Sequence, residues 1–109
     1  MDNDLILYST ADGKTKISLR ETDGTVWLTQ AQMAELFDCK KQNISLHIKK
    51  IFDEGELKQN SVVKHYLTTA ADGKEYSTLF YSLDMILAVG MRVRSVRGTQ
   101  FRQWAIEHL

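Results

Sequence analysis

The chain has 109 residues, 43% of them hydrophobic and 26% charged, and its 14 basic and 14 acidic side chains leave no net charge. That is the mix of one ordinary globular domain, and no apolar run approaches the roughly 20 residues that span a bilayer. The N-terminus is acidic where a secretory leader is basic, and Cys39 is the single cysteine, so an intrachain disulfide is excluded and a cytoplasmic protein is expected.

Taken in chain order, Leu5 to Tyr8 is an apolar run that reads as a strand. Asp12-Gly13 signals a turn, and Ile17 and Leu19 then alternate with Lys16, Ser18 and Arg20, which predicts a β-hairpin. Asp23-Gly24 precedes a third strand at Val26-Trp27-Leu28. Thr29 is an expected N-cap, followed by Met33, Leu36 and Phe37 at helical spacing. After a polar break at Asp38-Cys39-Lys40, the residues Ile44, Ile48, Ile51 and Phe52 share one face of a second helix that Gly55 stops.

Val62 to Leu67 and Tyr76 to Tyr81 read as two strands around the turn Asp72-Gly73. Ser82 is placed to cap a helix from Leu83 to about Val93, apolar nearly all round and therefore buried. Gly98-Thr99 is read as breaking the run and capping a fourth helix, with Phe101, Trp104 and Ala105 on one face. No terminating signal follows, so the chain reads as the N-terminal part of a longer protein. Trp27 and Trp104 are expected in the core.

The segment from Gln30 to Phe52 has the spacing of a helix-turn-helix. Such a motif needs a small residue midway along its first helix, where the second crosses, and an apolar residue ten positions later to lock the crossing. Ala34 and Ile44 fill these places, Gln30 lies four before Ala34, and Ser45 follows Ile44. The turn position is often Gly because its backbone favours positive φ. Asp38 stands there instead, and Asp tolerates that region better than most residues.

In this motif the second helix enters the major groove N-terminus first. Gln and Asn pair with adenine edges, so Gln42, Asn43 and Ser45 are the candidate base-reading residues. Lys40, Lys41, Lys49 and Lys50 are candidates for phosphate, which supplies affinity without sequence information. A hairpin after a recognition helix is a frequent wing, and Lys64 and Lys74 on it are further phosphate candidates, with His65 nearby. Leu46, apolar on a polar face, marks either a thymine-methyl contact or a dimer seam, so a homodimer is among the expected assemblies. Charge distribution agrees: residues 1–38 hold seven acidic against three basic side chains, residues 39–109 eleven basic against seven acidic. Local excess of this kind matters more to nucleic acid than overall balance. The competing reading of the same residues is a helical hairpin that only packs.

The stretch Val26–Phe37 resembles the start of the virulence RhuM family. So do Lys41–Lys49, Ser61–Lys64, Thr68–Lys74 and Arg97–Arg102, in order along the chain. The ending Phe101-Arg102-Gln103-Trp104-Ala105 is also similar, more loosely, to Bro-N and KilA-N type domains. The resemblance implies a bacterial DNA-binding protein of mobile or pathogenicity islands, with transcriptional or mobile-element regulation as its setting. Similar regions precede Fic or death-on-curing domains, whose catalytic loop is His-Pro-Phe. This chain has no proline, so such activity would lie beyond Leu109. The alternative function is accordingly a protein-interaction module that recruits for a C-terminal effector.

Other chemistry finds little support. His47, His65, His108 and Cys39 have no metal-ligand spacing. No phosphate-binding glycine loop, carboxylate pair or nucleophile elbow is present. No catalytic residue, metal or cofactor is therefore expected. Arg92, Arg94, Arg97 and Arg102 form either a phosphate-facing patch or a solvated edge paired with Asp and Glu, the second being favoured. Tyr66, Tyr76 and Phe80 could stack single-stranded bases, but alternate strand residues more often pack. The expectation is an α+β domain over residues 1–109 with a winged helix-turn-helix-like core, an N-terminal β-hairpin and C-terminal helices, binding double-stranded DNA and no membrane.

Overall fold

A computed structural model describes residues 4–109 of the chain. The first hairpin joins β1 (Asp4–Ser9) to β2 (Lys16–Thr22), closed by polar turn chemistry. The Asp12 carboxylate accepts from the Thr10 hydroxyl at 2.6 Å and from the Lys14 N–H at 3.0 Å. These bonds hold its pKa down to about 2. Asp23 and Gly24, both at positive φ, turn the chain into β3 (Thr25–Leu28).

Three helices and a second hairpin follow. They are α1 (Gln30–Phe37), α2 (Lys41–Asp53), the short α3 (Gln59–Val62), then β4 (Val63–Thr69) and β5 (Glu75–Ser82). Two helices close the chain, α4 (Leu83–Val93) and α5 (Val96–His108). The fold is therefore α+β: one antiparallel sheet in the order β1-β2-β3-β5-β4, with helices packed on it. The two hairpins expected from their Asp-Gly turns are present, and the pairing of Trp27 with Ser82 and Leu28 with Tyr81 fuses them into that single sheet.

Strand alternation sorts the side chains to two faces. Tyr8, Ile17, Leu19, Val26, Leu28 and Tyr81 join the core with Met33, Leu36, Phe37, Ile44, Ile48 and Ile51 of the helices. On the opposite face the Arg20 guanidinium lies over the rings of Tyr66 and Phe80, and the Lys64 ammonium lies 5.0 Å from the Trp27 ring centroid. Trp27 is buried as expected, although on the face away from the helices. Trp104 is half-buried and packs against Tyr8 and Phe101.

Two helix boundaries differ from the sequence reading. Val62 ends α3 and does not begin a strand. Nor do Gly98 and Thr99 break and cap the last helix, because both lie inside α5. The cap is Ser95, whose hydroxyl accepts the Gly98 N–H at 3.1 Å. Glycine is present at 98 for contact: a Cβ there would lie 2.8 Å from the Gly90 carbonyl oxygen of α4. Ser82 occupies the N-cap position of α4 but makes no side-chain cap bond.

Candidate nucleic-acid interface

Helix α1 starts on a capping box. The Thr29 hydroxyl accepts the Gln32 N–H at 3.1 Å, and the Gln32 side chain accepts the Thr29 N–H at 2.9 Å. It ends at Asp38, whose backbone is left-handed at φ 53°. That reversal lets the Cys39 N–H bond the Ala34 carbonyl at 3.0 Å and starts α2 only three residues beyond α1. Ala34 sits half-buried, and Ile44, Ile48 and Ile51 anchor α2 in the core.

About 100° of rotation per residue turns the other side of α2 outward. Lys40, Lys41, Gln42, Asn43, Ser45, Leu46, Lys49 and Lys50 are all exposed, so the helical candidates line the solvent-facing arc of α2, with Lys41 and Ser45 toward one flank and Lys50 toward the other. Their engagements differ. Lys49 forms an i,i+4 pair with Asp53 at 2.7 Å, which raises its pKa. Such an exposed, solvent-screened pair is weak and readily exchanged for a phosphate. The Ser45 hydroxyl donates to Gln30 Oε1 at 2.7 Å, and Gln30 Nε2 donates to the Tyr81 hydroxyl at 3.0 Å. This chain of bonds runs from α2 through α1 to β5. The sequence offered Gln30 only as a polar residue of the motif, since Tyr81 lies 51 positions away.

The two hairpin candidates are placed apart. Lys64 makes an ion pair with Asp23 and covers Trp27, on the sheet face opposite Tyr81 and the helices. Lys74 is exposed at the end of the β4–β5 hairpin, beside a turn in which its N–H donates to Asp72 at 2.9 Å. Between helices and hairpin runs an open cleft of about 380 Å³, lined by Gln30, Ala31, Lys41, Ser77 and Leu79 among others. Lys41 and the middle of β5 thus share one concave surface.

Other reactive groups are quiet. Burial, and secondarily Asp38, push the Cys39 thiol up and away from a reactive thiolate. Among the described residues no group of three or more His, Cys, Asp or Glu side chains could hold a metal ion. Among them also no helix is long and apolar enough to cross a membrane. Of the four arginines from Arg92 to Arg102, Arg92 pairs with Glu54 and Glu56, and Arg97 pairs with Asp12 and donates to the Glu35 carbonyl. Arg102 contacts the Met91 sulfur.

Comparison with curated proteins and with solved structures returned no match. The part of the chain from α3 through α5 is similar to a known family: residues 61–109 match the model of the virulence protein RhuM family.

Proposed function

We propose that this domain binds duplex DNA in a sequence-dependent way, with α1 and α2 acting as a helix-turn-helix and the β4–β5 hairpin as a wing. The observation that carries this reading is the outward side of α2. It exposes Gln42, Asn43, Leu46 and Lys49 while three isoleucines, a tight left-handed turn and the Ser45–Gln30–Tyr81 bonds fix the helix from behind. Exposed polar side chains on a rigidly supported helix are what base reading requires. Gln42 and Asn43, in the first turn, are the base readers. Lys40, Lys41, Lys49 and Lys50 contact phosphate. Ser45 reaches a base only by exchanging its bond to Gln30, so its first task is to orient the helix. Lys74 is available to a backbone along the hairpin, whereas Lys64 must first leave Asp23.

Regulation of transcription or of a mobile element is the biological setting that fits such binding. Selection from a pool of random duplexes tests the assignment. The parent is expected to enrich one site, and Gln42→Ala with Asn43→Ala to change that site more than nonspecific affinity. Recovery of the same site by parent and variant would sink the base-reading role. A parent that enriches nothing and captures protein after nuclease treatment would instead support the interaction-module reading.

A further inference from the structure

Arg94 ends α4 in the left-handed region, with φ 53° and ψ 45°. That conformation favours glycine and strains any residue that carries a Cβ. Among the described residues no ion pair or hydrogen bond holds the Arg94 side chain, unlike those of Arg92, Arg97 and Arg102. It lines a cleft of about 540 Å³ together with His47 and Lys50 of α2, Met91 and Arg92 of α4, and Glu56. His47 and Lys50 leave α2 on the flank opposite Lys41 and Ser45, as about 100° per residue requires.

We propose that this cleft is a second phosphate position, taking a phosphodiester group of the DNA strand that passes α2 on the side away from the β4–β5 hairpin. The inference rests on the duplex-binding reading and extends it: α4 supplies a backbone clamp that the helix-turn-helix alone lacks. Glu54 and Glu56 both pair with Arg92, at 2.7 and 3.1 Å, so Lys50, Arg92 and Arg94 together outnumber the two carboxylates by one, and among the described residues no ion pair holds Lys50 or Arg94. The His47 imidazole is held below its ordinary value by burial, then by Arg92 and Lys50, so it stands neutral at pH 7 with a ring N–H to donate. An arginine fork suits phosphate oxygens better than any other side chain. It also gives a reason for arginine at a position whose backbone favours glycine.

Arg94→Gly separates function from folding, because it removes the guanidinium while relieving the backbone. The experiment titrates parent, Arg94→Gly and Lys50→Ala with a short random-sequence duplex over a range of salt, with melting temperatures alongside. Each variant is expected to lower the salt slope by about 0.9, which is roughly an eightfold loss of affinity at 0.1 M salt. Arg94→Gly is expected to melt no lower than the parent. If parent binding depends on Lys41 and Lys49 while both cleft variants keep its slope, the cleft is not a phosphate position. If the parent does not bind duplex at all, the DNA reading itself fails and the cleft assignment goes with it. Inorganic phosphate is the remaining arm. A His47 shift with phosphate alone, and none with duplex, would assign the cleft to a free anion and overturn the diester proposal.

Discussion

Replacing Gly98 by alanine sets two effects of known size against each other. Within a helix, Gly→Ala gains about 0.8–1.0 kcal/mol from backbone entropy and propensity. At Gly98, however, the new methyl would stand 2.8 Å from the Gly90 carbonyl oxygen. Carbon–oxygen contacts between helices sit at about 3.3–3.6 Å, so α5 must retreat from α4 by about half an ångström. The obstacle is backbone and cannot swing aside. The retreat also disturbs Phe101 and Ala105, both buried on the same helix. Overpacking of this kind costs about 1–3 kcal/mol. The clash should win, for a net loss of up to about 2 kcal/mol. At about 4–8 °C per kcal/mol for a small domain, the melting temperature should fall by up to about 8–16 °C. Calorimetry or circular dichroism reads this directly. A variant that melts higher than the parent, as propensity alone demands, would refute the close crossing of α4 and α5.

Three further outcomes follow from the local chemistry. Thr29→Ala removes one half of the capping box and should cost about 1 kcal/mol in a urea titration, with the fold retained. Arg94→Gly should gain about 0.5–1 kcal/mol, the relief of a left-handed residue less the extra freedom of glycine in the unfolded chain. Asp12 titrates at about 2 in the folded chain against an ordinary 3.8, so its contribution is complete above that ordinary value and is lost as pH falls toward 2. Asp12→Asn should therefore flatten the acid limb of the stability curve, and an unchanged limb would show that the turn bonds are not formed in solution.

Much of this architecture is written in short-range signals. The Asp-Gly turns, Thr29, Gly55 and the isoleucine period of α2 each act within a few residues, and each marks an observed element. What escaped the sequence depends on contacts between distant segments. Gly98 reads as a helix breaker until Gly90 is known to lie against it. Lys64 reads as a free cation on a hairpin until the β3–β5 pairing brings Asp23 and Trp27 beside it. Residues Gln59–Val62 carry no period long enough to announce a helix. The candidate interface was legible in α2 because helical spacing alone decides which side the isoleucines bury. Its bracing through Gln30 and Tyr81, and the place of Arg94 beside Lys50, required the tertiary structure.

The central claim is that the solvent side of α2 meets the phosphates of duplex DNA, and the salt dependence of binding tests it most directly. Fluorescence anisotropy with a labelled random duplex, repeated across salt concentrations, gives affinity and slope together. The parent should bind with a steep negative slope, and Lys41→Ala combined with Lys49→Ala should reduce that slope by about 1.8, two phosphate contacts at about 0.9 each. Binding of the double variant with unchanged affinity and unchanged slope would contradict the assignment of α2 as the DNA-contacting helix.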